Sequence, residues 1–152
     1  MKHTYNKIAV ILLSTLSMSA FAADVEVYGK ANLSLQSSDE GEGSFTEVKS
    51  NASRIGLKGS HDLGDGLTVL YKAEFQVDLD GDSDSGDSIT DRNQYVGLAG
   101  SFGEVLLGKN DTMLKQSQGK VDLFSDLNGD IKSLWKGENR MADTLSYKSP
   151  KF

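Results

Sequence analysis

From Leu67 to Val77 the chain alternates apolar and polar side chains over eleven residues, LTVLYKAEFQV. Leu67, Val69, Tyr71, Ala73, Phe75 and Val77 fall on one face. Thr68, Lys72, Glu74, Gln76 and Asp78 fall on the other, with Leu70 the one apolar intruder. Side chains of a strand point alternately to the two sides of its sheet, so this ribbon is greasy on one side and charged on the other. An ordinary strand has roughly five or six residues. A tilted strand that crosses a bilayer needs roughly nine to eleven. Ser53 to His61 carries a second alternating run, with Ile55, Leu57 and Gly59 opposite Arg54, Lys58 and Ser60. The Gly-rich turn Asp62-Leu63-Gly64-Asp65-Gly66 joins the two into a hairpin.

The N-terminus states an address. Lys2, His3 and Lys7 precede the apolar run Ile8 to Leu13, and Ala20-Phe21-Ala22 forms an A-x-A cleavage site. Residues 1–22 are therefore expected to be a secretory signal peptide, with the mature chain starting at Ala23. The apolar run is too short for a transmembrane anchor and is diluted by Ser14, Thr15, Ser17 and Ser19.

Export makes composition informative. Small secreted domains usually rely on disulfides, and the chain has no cysteine. The formal charge is −6, and removing Lys2 and Lys7 takes it to −8, which argues against a nucleic-acid partner. A hydrophobic share of 38% is low for a globular domain, with 16 glycines and one proline. No apolar run after residue 22 is long enough for a helical span, so a membrane location would require strands.

Further strands follow along the chain. Val25 to Gln36 alternates, with Val25, Val27, Gly29, Ala31, Leu33 and Leu35 opposite Glu26, Tyr28, Lys30, Asn32, Ser34 and Gln36. A polar loop is expected from Ser37 to Asn51, and an acidic loop from Leu79 to Asp91. A fourth strand is expected over Arg92 to Ala99, with Arg92 and Gln94 on the face opposite Asn93, Tyr95, Gly97 and Ala99. A fifth spans Glu104 to Lys109. A sixth begins at Arg140, with Met141, Leu145 and Tyr147 opposite Arg140, Thr144, Ser146 and Lys148. Short turns at 62–66 and 100–103 alternate with longer loops, as in outer-membrane barrels. The 31 residues from Lys109 to Asn139 lack a strand signal and read as a functional loop. Its segment Val121-Asp122-Leu123-Phe124-Ser125-Asp126-Leu127 mixes apolar and acidic residues, so a packed loop with a short helical turn is expected.

Several segments in order resemble the Gram-negative general porins, the trimeric sixteen-stranded outer-membrane barrels. They are Tyr28-Gly29-Lys30-Ala31, Arg54-Ile55-Gly56-Leu57-Lys58-Gly59 and Asp62-Leu63-Gly64-Asp65-Gly66-Leu67. Tyr95-Val96-Gly97-Leu98 and Gly103-Glu104-Val105-Leu106-Leu107-Gly108-Lys109 complete the set. The resemblance implies an all-β, antiparallel transmembrane β-barrel, of which residues 23–152 supply the N-terminal portion, about six strands of sixteen. It implies an inward-folded constriction loop at about 110–139. It also implies a basic wall of Lys30, Arg54, Arg92 and Arg140, with Lys58 and Lys72 also inward. Asp122, Asp126 and Asp130 would be the acidic partners on the loop. The family's Pro-Glu-Phe at the loop tip is replaced by Ser125-Asp126-Leu127. The implied function is an outer-membrane channel for ions and small hydrophilic solutes, surrounded by lipid and lipopolysaccharide and trimeric at full length, with no cofactor. Opposed charge rows in a water-filled neck would set its ion preference.

Other chemistries find little support. The EF-hand pattern fails in the acidic loop: counting from Asp78 places Ser83 at position 6 and Ile89 at 12, and counting from Asp80 places Ser85 and Asp91 there. His61 is the one histidine after residue 22, and neither a Ser-His-Asp set nor metal-ligand spacing is present, so neither an enzyme nor a metal site is expected. The alternatives are a surface binding or adhesion protein, or a small eight-stranded barrel, acting through acidic outer loops. Six strands cannot close a sixteen-stranded lumen, and Ser146, Lys148 and Pro150 interrupt the alternation before Phe152, so a truncated porin is expected.

Overall fold

The computed structural model describes residues 24–150 except 40, 42, 82–85 and 120. The expected signal peptide, the mature start at Ala23 and the terminal Phe152 lie outside the described residues. Eight strands account for most of the described residues: β1 (Asp24–Lys30), β2 (Leu33–Asp39), β3 (Ser44–Ser50), β4 (Arg54–Gly64), β5 (Leu67–Val77), β6 (Ile89–Gly100), β7 (Gly103–Asp111) and β8 (Arg140–Lys148). Six of them form one antiparallel sheet in the order β1-β4-β5-β6-β7-β8, and β2 and β3 pair separately. A six-residue helix, α1 (Met113–Gln118), and a 3-10 turn (Ile131–Ser133) lie in the long segment before β8. Among the described residues no helix is long and apolar enough to cross a membrane.

The register sorts the sheet into two faces. Val27, Leu57 and Ala73 are cross-strand neighbours, as are Tyr71, Val96, Leu107 and Leu145. These apolar rows are exposed, Val27 by 72%, whereas Leu106 is the one buried hydrophobic side chain among the described residues. A water-soluble fold covers such a contiguous apolar surface. Among the described residues no protein layer covers the greasy face. On the other face lie Lys30 with Arg54 and Gln76, then Tyr28 with Gly56 and Glu74, then Glu26 with Lys58, Lys72 and Tyr95. Leu70, the apolar intruder, joins Gly97 and Leu106 in one row of this inner face.

The structure departs from the sequence reading in three places. The first strand is shorter than expected, because Asn32 and Ser53 interrupt the ladder. The Asn32 N–H donates to Ser53 Oγ at 3.0 Å, the Asn51 N–H donates to the Asn32 carbonyl at 2.7 Å, and Ala52 takes a left-handed φ of 51°. Side-chain oxygens bonded locally to backbone compete with strand pairing in this way. Beyond that break, the expected polar loop from Ser37 to Asn51 is largely strand, paired from Leu33↔Ser50 to Asp39↔Ser44. Its polar side chains bridge the two strands, with Gln36 and Ser38 both donating to Glu47.

The second departure is in β6. Regular alternation from Thr90 would put Arg92 and Tyr95 on opposite faces, yet Thr90 pairs with Gln76 and Tyr95 with Lys72, all inner positions. A bulge opposite Glu74 absorbs the extra residue, so Arg92 and Asn93 both reach inner-face partners. Gln94 then pairs with Ala73 on the apolar side rather than sharing a face with Arg92. Bulges commonly re-aim a side chain at a site in this manner. The third is strand extent: β6 begins at Ile89, three residues inside the expected acidic loop, and β7 runs two residues past Lys109 to Asp111, so both loops are shorter than expected.

Candidate functional site

The inner face carries its charge in clusters held by the sheet itself. Glu74 is the centre of the largest. It is 5% exposed and accepts from Tyr28 Oη at 2.7 Å and from Arg92 Nε at 2.8 Å, with Lys72 Nζ 3.2 Å away. Tyr28 reaches Glu74 across β4, and it can do so because Gly56 lies between them. A Cβ at Gly56 would stand 2.7 Å from the Tyr28 ring. Lys58 and Lys72 place their ammoniums 5.4 and 5.7 Å from the centre of that ring, within cation–π range. Arg92 also donates to Gln76 at 3.3 Å.

A second cluster joins β6, β7 and β8. Arg140 Nε donates to Asn93 Oδ1 at 2.7 Å, and its Nη2 lies 3.0 Å from Asp111 Oδ1. Asn93 Nδ2 closes the triangle on Asp111 Oδ2 at 3.0 Å. Paired and hydrogen-bonded charges of this kind tolerate partial burial that isolated ones would not.

The segment from Thr112 to Asn139 folds back over this face. Thr112 caps α1 by accepting from the Lys115 N–H at 3.3 Å, and its hydroxyl donates to the Gly137 carbonyl at 2.9 Å. Its own N–H donates to the Asn139 carbonyl at 2.9 Å, so the loop closes at its base. At the tip, Asp126 adopts a φ of 70° and donates its N–H to Asp130 Oδ2 at 2.9 Å. Its carboxylate then sits between two wall residues, with Lys30 Nζ at 3.3 Å and Arg54 Nη2 at 3.2 Å from the same oxygen.

The seven residues singled out in the sequence therefore divide. Lys30, Arg54 and Asp126 come together directly. Arg92 and Arg140 stand on the same face but take their carboxylates from the sheet, Glu74 and Asp111 respectively. Asp122 and Asp130 fold the loop. Asp122 accepts from the Phe124 and Ile131 N–H groups at 2.9 and 3.2 Å. Asp130 accepts from the Lys132 and Asp126 N–H groups, both at 2.9 Å, and lies 3.4 Å from Lys132 Nζ. Burial pushes the Asp130 carboxyl up, but those two N–H donors and the Lys132 charge outweigh it and hold the group below the ordinary aspartate value. Glu74, Tyr28, Asn93 and Asp111 were not anticipated. The Glu74 signal was present, since it shares the polar face of β5 with Lys72 and Gln76.

On this face Lys30, Arg54, Lys72, Arg92 and Arg140 gather around the carboxylates of Glu74, Asp111 and Asp126. The model of the family described as Gram-negative porin matches residues 9–152. The chain belongs to that family. The major outer membrane protein P.IB of Neisseria meningitidis serogroup B / serotype 15 (strain H44/76) is 31% identical, over 93% of this chain and 44% of that protein. P.IA of the same strain is 29% identical over 96% of this chain and 44% of its own length. Among solved structures, the anion-selective porin from Comamonas acidovorans matches with a TM-score of 0.68 at 26% identity, covering 86% of this chain and 43% of that one. The chain thus spans less than half the length of the porins it matches. Its six-stranded sheet is a part of an antiparallel porin barrel, with the apolar rows on the outside and the charged rows on the inside.

Proposed function

We propose that the complete protein is a passive channel for ions and small hydrophilic solutes, favouring anions, with its narrowest part formed where residues 110–139 meet the basic wall. It is an outer-membrane protein. Residues 1–22 act as the signal peptide that exports it, and residues 23–152 form the N-terminal portion of the barrel. The observation that carries the reading is Asp126, held by the loop between Lys30 and Arg54 on the inner face of the sheet. An acidic loop tip opposite a basic wall makes a transverse field across a water-filled neck. Dipolar solutes can align in it, whereas apolar ones would lose water without gaining a partner. The row of five cations along the wall, Lys30, Arg54, Lys72, Arg92 and Arg140, favours anions by raising their local concentration.

The apolar outer rows are suited to acyl chains and, at the rim, to lipopolysaccharide, and the full-length protein assembles as a homotrimer. Transport is driven by the electrochemical gradient of each solute alone, without a cofactor or a catalytic step. The test is planar-bilayer conductance of the full-length product under a salt gradient. The reversal potential should report anion preference, and Arg54→Ala should move it toward cations. A protein that inserts yet never conducts would replace this reading with a surface-binding role.

A further inference from the structure

We infer that Asp122, Asp130 and Glu138 form a binding site for a divalent cation of the size of Ca2+ at the base of the loop tip. One carboxylate oxygen from each residue lies within 4.8 Å of the other two. Oxygens that share a calcium ion at roughly 2.4 Å can stand that far apart. Three carboxylates at this spacing repel one another unless a cation lies among them.

Glu138 supplies a separate reason. Its side chain is 6% exposed, and one oxygen pairs with Lys115 Nζ at 2.8 Å. The other oxygen, Oε2, is buried without a hydrogen-bond donor. A buried carboxylate oxygen without a donor is unfavourable, and a hard cation is the partner that would satisfy it and its acidic neighbours together. The nearby ammoniums do not neutralise the cluster. Lys115 on Glu138 and Lys132 on Asp130 bring two positive charges against three negative ones.

Asp122 and Asp130 are already oriented by backbone N–H groups; both Asp122 oxygens and Asp130 Oδ1 keep a second lone pair, whereas Asp130 Oδ2 also faces Lys132 Nζ. The Asp130 side chain is 4% exposed and so is shielded from bulk water. All donors are carboxylate oxygens, which suits calcium or magnesium rather than a softer metal. Ligands from three separate turns leave no sequence spacing to recognise. A cation there would tie both stems of the tip, at 122 and 130, to the segment returning into β8. It would thereby fix the position of Asp126 against Lys30 and Arg54. The site stands independently of the channel, and only its effect on conductance rests on the pore reading.

The probe is Tb3+, excited through Trp135, the single tryptophan of this chain and three residues before Glu138. With the complete protein refolded in detergent, sensitised emission should saturate and be displaced by Ca2+. Glu138→Gln or Asp122→Asn should weaken the affinity by about tenfold or more, while Asp126→Asn leaves it unchanged. Emission no stronger than in Trp135→Phe, or indifferent to both Glu138→Gln and Asp122→Asn, overturns the site. A second measurement records single-channel conductance before and after chelation. Terbium binding in a protein that never conducts sustains the site and removes the pore reading. Conductance without terbium binding does the reverse.

Discussion

Glu74 and Asp126 do the same electrostatic task in two different settings. Each carboxylate gathers two cations of the basic wall, Lys72 and Arg92 in one case, Lys30 and Arg54 in the other. Glu74 sits on the central strand β5, opposite a bulge, and adds a tyrosine hydroxyl to its partners. Asp126 hangs from a loop, with its side chain 17% exposed and both ion-pair distances longer than 3 Å. Charges fixed by the sheet are part of the wall's architecture. Charges delivered by the loop can be altered without dismantling that wall, which is where ion selectivity can change at little structural cost.

The most severe test of this contrast is Glu74→Ala. It leaves Arg92, Lys72 and the Tyr28 hydroxyl without their common acceptor in a largely buried cluster. Removing one partner of a buried ion pair costs about 3–5 kcal/mol. Urea unfolding of the refolded protein should move by that order, and an effect as small as that of an exposed pair would abolish the distinction. Next comes Gly56→Ala, which forces the Tyr28 ring off β4 because the new Cβ would stand 2.7 Å from it. Overpacking of this kind costs about 1–3 kcal/mol. The double change with Tyr28→Ala should cost less than the sum of the two single changes, which a double-mutant cycle would detect.

Asp126→Asn should barely change stability, within about 1 kcal/mol, since partly exposed ion pairs contribute little. Its effect belongs in the reversal potential, which should shift further toward anions as Lys30 and Arg54 lose their counter-charge. If stability fell as far as it does with Glu74→Ala, the loop tip would be as structural as the wall.

Much of this contrast was legible from alternation alone. The eleven residues of β5, the inner positions of Lys30, Arg54, Lys58 and Lys72, and the outer position of His61 beside Val69 follow from period-two patterning. Patterning failed where side chains redirect the backbone. Asn32 and Ser53 break β1 through local hydrogen bonds that have no period. In β6 the extra residue of the bulge shifts parity between Arg92 and Tyr95, so one strand cannot be read as a single alternating run. Asp122 and Asp130 carry the right charge for the wall, but backbone N–H groups within their own loop hold them instead. Charge type is visible in a sequence, whereas which of several carboxylates a loop spends on its own fold depends on turn geometry.

Asp130 gives the smallest effect, and one invisible at neutral pH. Its carboxyl titrates below the ordinary aspartate value because the Lys132 and Asp126 N–H groups favour the charged form over the opposing effect of burial. A group whose folded value is depressed stabilises the fold above its unfolded value, and the contribution fades as pH falls toward the folded one. The tip should therefore hold its position from neutral pH down to roughly the unfolded aspartate value, about 3.9, and loosen only below it. Trp135 emission and acrylamide quenching across an acid titration measure this directly. Asp130→Asn should remove the acid step while leaving a tip that is already looser at pH 7. Because Asp126 donates its N–H to Asp130, the same titration should weaken the hold of Asp126 on Lys30 and Arg54. An acid shift in anion preference that persists unchanged in Asp130→Asn would place its cause outside the turn that Asp130 holds.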